Sequence, residues 1–138
     1  MSTSTESVAP RSSIVRYVEW PDTDAAGHYH HSTVIRWIEA AEAELYSSHG
    51  LLDLFGVVPR VHLEVNHRAR LWFRDKVDIN LRVAVLGTSS IKYAFTVHRG
   101  DELAAEGSLT AVYIDPVKGC SIPWPATVRT ALDPIALY

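Results

Sequence analysis

The sequence predicts an α+β fold, one long helix buried against one curved antiparallel sheet, and three observations predict it. One stretch, residues 31–49, carries helical periodicity, while three later stretches alternate apolar and polar residues with the period of a strand and a fourth is rich in Ala, Leu, Val and Tyr. The order is strand, helix, then a run of about four strands, which the layer rules read as α+β. The length of 138 residues suits one compact domain and leaves little room for a second, and 47% hydrophobic against 21% charged residues is an ordinary globular balance.

The first strand is predicted over residues 13–20, where Ile14, Val15, Tyr17, Val18 and Trp20 concentrate apolar and β-branched side chains. Pro21 ends it, and residues 21–27 have loop composition, with Gly27 free to take positive φ. In the helix, Val34, Ile38, Ala41 and Leu45 form one stripe at spacings of four, three and four. Ser32 or Thr33 is placed to cap its start, Arg36 and Glu39 to pair at i,i+3, and Gly50 to stop it. Ala40, Ala41 and Ala43 thin this helix, and Ile35 and Trp37 extend its apolar surface off the main stripe, so burial on more than one side is expected.

After Pro59 the period changes. Val61, Leu63 and Val65 alternate with polar neighbours, as do Val77, Ile79, Leu81, Val83 and Val85, and then Ile91, Tyr93, Phe95 and Val97. Residues 103–114 complete the set. Gly87 with Thr88, and Gly100 with Asp101, are turn signals, so the last three strands are expected to be antiparallel hairpins. The segment after Pro116, with Pro123, Pro125 and Pro134, is predicted irregular. Residues 1–12 read as a frayed Ser/Thr-rich tail without the features of a signal peptide, and residues 13–138 as a single domain.

Composition excludes several function classes. Thirteen Lys and Arg against 16 Asp and Glu give a net charge of -3, unlike the clustered positive charge that nucleic acid selects. No apolar run approaches the roughly 20 residues of a membrane helix, so no membrane partner is expected. One cysteine, Cys120, allows no internal disulfide and suits a cytoplasmic location, and its polar surroundings argue against a nucleophilic role.

Residues 22–31, DTDAAGHYHH, put two carboxylates and three clustered histidines into a glycine-containing loop that feeds a helix N-terminus. A helix start offers backbone N–H groups and partial positive charge to a carbonyl oxygen that becomes an oxyanion. A carboxylate nearby can attack an acyl carbon or activate water. The loop therefore holds both halves of an acyl-transfer site. Asp22 reads as a turn-stabilising carboxylate. The histidines, adjacent on a short loop with no second cluster, do not suggest a metal site.

DTDAAGHYHH followed by an amphipathic helix containing Glu39 resembles the signature of the 4-hydroxybenzoyl-CoA thioesterase-like hotdog family. The similarity continues through Asp75, Gly87 with Ser89 and Ser90, Gly107 and Pro123, and covers roughly residues 14–130. The resemblance implies a hotdog fold and hydrolysis of an acyl-CoA or acyl-carrier-protein thioester, with Asp24 as nucleophile or general base. It matches His31 to the helix-start histidine whose backbone N–H faces the thioester carbonyl, and Gly27 to the loop glycine. His30 stands where the family usually has Tyr, and Thr33 where it has Asn, both departures touching the pocket wall. The family implies a homodimer or homotetramer, in which His62, Glu64 and Asn66 would line the site from a partner chain. No separate cofactor is implied, because CoA belongs to the substrate. The rival readings are a hotdog dehydratase or hydratase and a non-catalytic acyl-thioester binder. Trp37, Trp72 and Trp124 read as packing residues, and Glu39 and Glu42 as solvated or ion-paired helix carboxylates with Arg36 at hand. Arg68, Arg70, Arg74 and Lys76 form a basic cluster with the chemistry to meet CoA phosphates.

Overall fold

The computed structural model describes residues 9–29 and 31–135. Its strands are β1 (Arg11–Tyr17), β2 (Arg60–His67), β3 (Lys76–Leu86), β4 (Ser90–Arg99) and β5 (Glu102–Val112), and its α-helices are α1 (Thr33–Ser48) and α2 (Ala126–Leu132). The strands make one sheet in the order β1-β3-β4-β5-β2, every pairing antiparallel, with β1 and β2 at open edges. Helix α1 is the central helix, and the predicted order of strand, helix and four strands is what the chain forms.

The alternation in β3 and β4 determines which face is covered. Val77, Ile79, Leu81 and Val83 are buried, as are Ile91, Tyr93, Phe95 and Val97, and all belong to the core beneath α1. The polar residues between them take the other face. Val85 breaks the predicted phase. The pairing of β3 with β4 shifts between Val83 and Val85, and past this bulge Val85 is 56% exposed. A second shift, between Arg60 and His62, leaves Val61 exposed on β2.

Helix α1 buries Thr33, Val34, Trp37, Ile38, Ala41, Glu42, Leu45 and Tyr46, four pairs at intervals of one turn. This stripe is wider than the predicted one and includes Trp37, while Ile35 is exposed. Small residues on the helix let the sheet approach closely, and the Ser12 hydroxyl of β1 donates to the Ala41 carbonyl at 2.6 Å. The Tyr93 hydroxyl reaches from β4 to the Tyr46 hydroxyl at 2.9 Å inside the core. Burial raises the pKa of both phenols, that of Tyr46 to about 12.

Three sequence expectations are corrected. Strand β1 begins at Arg11, inside the stretch read as a tail, and ends at Tyr17; Trp20 and Pro21 instead open a 3₁₀ turn, Trp20–Asp22. The segment after Pro116 is not wholly irregular, because α2 buries Val128 and Leu132. The indole of Trp124 stacks on Tyr113 at 5.0 Å and donates to the Ser90 carbonyl, and Arg129 donates to the Gly87 carbonyl. Pro125 caps this helix, a position where its missing N–H costs nothing. Arg36 and Glu39 do not pair with each other: Arg36 bonds Asp22, and Glu39 lies 3.7 Å from Arg60.

Gly107 is required by the sheet itself. A Cβ built there would stand 1.8 Å from the Glu64 carbonyl oxygen on β2 and 2.9 Å from the Phe95 ring. No other residue fits that crossing without moving backbone.

Candidate active site

Residues 23–29 form a small hairpin ahead of α1. Thr23 and Tyr29 pair as an isolated bridge, the Asp24 N–H donates to the His28 carbonyl at 3.0 Å, and the Gly27 N–H donates back to the Asp24 carbonyl at 3.0 Å. Gly27 has φ of +89°, a conformation open to glycine and strained for other residues. The turn uses one carboxylate oxygen of Asp24: Oδ1 accepts the Ala26 N–H at 2.8 Å. Oδ2 faces His28, whose Nδ1 is 3.9 Å away, and the Asp24 side chain remains 34% exposed.

Asp22 ties this hairpin to the helix. It is buried, its Oδ2 accepts the Glu19 N–H at 2.8 Å, and its Oδ1 accepts from the Arg36 guanidinium on α1. The Thr33 hydroxyl donates to the Asp22 carbonyl at 3.1 Å. Thr33, expected on the pocket wall, is therefore buried and holds the start of α1 against the loop. The reading of Asp22 as a turn carboxylate agrees with these bonds. His30 lies outside the described residues.

On its other side the hairpin leans on the β2–β3 connection. The Tyr29 N–H donates to the Leu71 carbonyl at 2.7 Å, and His28 and Trp72 form an isolated bridge. The Trp72 ring meets the His28 ring edge-on at 5.7 Å and would lie 3.7 Å from a Cβ at Gly27. Trp72 packs here at the surface rather than in the core, and it is 43% exposed.

These contacts surround a cleft of about 380 Å³ lined by Asp24, His28, Tyr29, His31, His67, Arg68, Ala69 and Arg70. Asp24 and His31 are thus brought to one cleft beside the opening of α1. Tyr29, which is buried, and His67, which is exposed, also line it, and sequence reasoning missed both. The Tyr29 hydroxyl and His67 Nδ1 are 2.8 Å apart, and the Tyr29 ring stacks on Trp37 at 6.0 Å. Burial raises the Tyr29 pKa, and burial followed by the nearby His31 charge lowers that of His67. That shift favours the neutral form of the imidazole.

Glu64 and Asn66 stand elsewhere. In β2 the residues that pair with buried Leu109 and Ala105 are Leu63 and His67, which puts these on the helix side. Glu64 and Asn66 pair with Ser108 and Glu106 and take the opposite face, where Asn66 borders a depression with Asn80, Thr96 and Glu106. Within one chain they do not meet the Asp24 cleft. The strand period that the sequence displayed at Val61, Leu63 and Val65 continues to His67 and could have identified it.

Comparisons with known proteins agree with this architecture. The family described as the Thioesterase-like superfamily matches residues 18–132. A protein of Synechococcus sp. named 1,4-dihydroxy-2-naphthoyl-CoA hydrolase is 30% identical over 128 residues, covering 83% of this chain and 86% of its own. The crystal structure of a 1,4-dihydroxy-2-naphthoyl-CoA thioesterase from Synechocystis superposes with a TM-score of 0.80 at 21% identity, over 88% of this chain and 94% of that one. A hypothetical protein from Staphylococcus aureus, solved in complex with CoA, superposes with a TM-score of 0.81 at 15% identity, over 90% and 82%. The five-stranded antiparallel sheet around α1 is the hotdog architecture of such thioesterases. With the family match spanning most of its length, the chain belongs to the Thioesterase-like superfamily.

Proposed function

We propose that this protein hydrolyses acyl-CoA thioesters, with Asp24 as the catalytic carboxylate. The observation that carries the reading is the cleft in which Asp24, with one oxygen spent on the turn and the other 3.9 Å from His28 Nδ1, shares walls with His31 beside the start of α1. The superfamily and the printed name of the Synechococcus relative support the reaction class and the CoA carrier.

The chemistry follows from the charges. The thioester carbonyl lies toward the opening turn of α1, where aligned peptide dipoles favour the oxygen as it gains negative charge. Asp24 then attacks the acyl carbon to give a mixed anhydride that water cleaves, or takes a proton from the water that attacks it. Either way a C–O bond forms, the C–S bond breaks, and the products are a free acid and the CoA thiol. His31 and His67 line the same cleft as Asp24.

The test is thiol release over a panel of aryl and alkyl thioesters, 1,4-dihydroxy-2-naphthoyl-CoA among them, each presented on CoA and on acyl carrier protein. Crotonyl-CoA hydration is measured in parallel. We expect thiol release from CoA thioesters. Hydration without thiol release would assign the site to the dehydratase class, and binding without either reaction would make it a binder.

A further inference from the structure

We infer that the β2–β3 connection carries a subsite for the adenine nucleotide end of the carrier, with Trp20 and Phe73 receiving the base and Arg74 and Arg70 the phosphates. The inference rests on the acyl-CoA reading above and names the part of the molecule that would read the carrier. A soluble chain gains nothing by exposing large rings together, yet Trp20 is 68% exposed, Tyr17 57% and Phe73 46%. Trp20 and Phe73 meet edge to face at 5.5 Å, and with Tyr17, Val18, Glu19 and Arg74 they line a groove of about 400 Å³.

Charge distinguishes this groove from a plain apolar patch. Of the basic cluster in this connection, Arg68 is committed to Glu106 at 2.8 Å. Arg70 and Arg74 are exposed, and among the described residues neither side chain has an ion pair or hydrogen bond. Arg74 is also the one non-glycine described residue with positive φ, 77°, and its N–H donates to the Val18 carbonyl at 2.7 Å. That conformation is uncommon for a long side chain and is held here by the fold. Two unpaired guanidinium groups beside exposed aromatic faces suit a phosphorylated nucleoside, since bases stack on any aromatic face and guanidinium bonds phosphate in pairs. Glu19 on the groove wall offers an acceptor for an exocyclic amine.

Position ties the groove to the reaction. Arg70 lines the Asp24 cleft, Leu71 and Trp72 bond the catalytic hairpin, and Phe73 and Arg74 line the groove, all within five consecutive residues. Asp75 fixes the far end, its Oδ2 accepting from the Trp72 N–H at 2.8 Å and from Arg99 at 2.7 Å. Four steps of chain reach at most about 14 Å. A ligand with its thioester at Asp24 and a long arm laid along this ribbon would therefore bring its nucleotide to the aromatic groove.

The experiment compares the acyl-CoA of the panel with highest turnover against the pantetheine thioester of the same acid, which lacks the nucleotide. Trp20→Ala and Arg74→Gly are the variants, glycine being chosen because it accepts the positive φ, and Trp20→Phe retains an aromatic face. Calorimetry with adenosine 3′,5′-bisphosphate gives a readout independent of turnover, and sedimentation reports the assembly state. We expect KM for the acyl-CoA to rise about tenfold or more in Trp20→Ala and Arg74→Gly, as loss of one stacked base or phosphate contact implies. KM for the pantetheine thioester should move less than about twofold on the same scale, Trp20→Phe should recover most of the loss, and the bisphosphate should bind the parent chain and not Arg74→Gly. Equal effects on both substrates, no effect on either, or a change of assembly state in Trp20→Ala would overturn the inference; the last would show that a second copy covers the groove. If the parent chain releases thiol from neither carrier, the hydrolase reading fails, and bisphosphate binding alone decides whether the groove holds a nucleotide.

Discussion

At the scale of single residues, the pair of Tyr29 and His67 shows how this cleft is tuned. Tyr29→Phe removes a 2.8 Å hydrogen bond and leaves the ring stacked on Trp37. The expected loss is about 0.5–1.5 kcal/mol of stability, readable as a lower urea midpoint with unchanged slope. His67 adds a pH dependence with a definite sign. Its folded pKa lies below the ordinary 6.5, so the unfolded chain binds more protons in the window between the two values. The stability associated with neutral His67 is whole above about pH 6.5 and is lost as pH falls toward the lower folded value. His67→Gln should flatten that part of the stability profile, and a variant whose profile matches the parent would show that His67 does not titrate this way. That Asp24, Gly27 and His31 lie together in one loop ahead of the helix was legible in the sequence, because loop composition and helix start are local. His67 was missed because its role depends on strand phase and on Tyr29, 38 residues away.

At the scale of elements, the junction of α1 with β2 rests on a buried carboxylate. Glu42 is fully buried, the Arg60 guanidinium donates to its Oε1 at 2.6 and 3.1 Å, and Oε2 has no hydrogen-bond partner among the described residues. Arg60 also lies 3.7 Å from Glu39 and packs over the Phe55 ring at 5.1 Å. The sequence placed Glu42 among solvated or Arg36-paired carboxylates, because nothing in a helical repeat shows which charged residue a distant strand will cover. Desolvation raises the Glu42 pKa, with Arg60 opposing it. Arg60→Ala should cost about 3–5 kcal/mol near neutral pH, since it leaves a buried charge unpaired. The deficit should shrink on acidification, because a carboxyl with raised folded pKa binds its proton more readily in the folded chain. A deficit that stays constant from neutral to acid pH would mean that Glu42 is not the group responsible. Gly107→Ala tests the β5–β2 crossing: with the Glu64 carbonyl 1.8 Å from the new carbon, β2 must move. We expect a loss of about 3 kcal/mol, at the upper end for overpacking, measured by thermal unfolding; a parent-like midpoint would contradict the close approach.

Across the whole molecule, the fold brings a local motif and one distant segment, residues 67–70, into one cleft. The order of elements and the inward phases of β3 and β4 were readable from period alone, because a half-buried strand and a covered helix impose their periods on the sequence. The bulges at Val85 and Val61 and the docking of α2 were not, because each depends on pairing between strands or on packing of the tail. The cleft itself joins the 23–29 hairpin, the start of α1 and the end of β2, with Asp24 as the charged group common to the turn and the open space. Asp24→Asn tests this most directly, because the amide oxygen can still accept the Ala26 N–H and so preserve the turn. The account predicts a folded protein with unchanged thermal midpoint and thiol release slower by about 10²–10⁴-fold, the range for loss of a positioned base. An Asp24→Asn protein that hydrolyses acyl-CoA at the parent rate would contradict it.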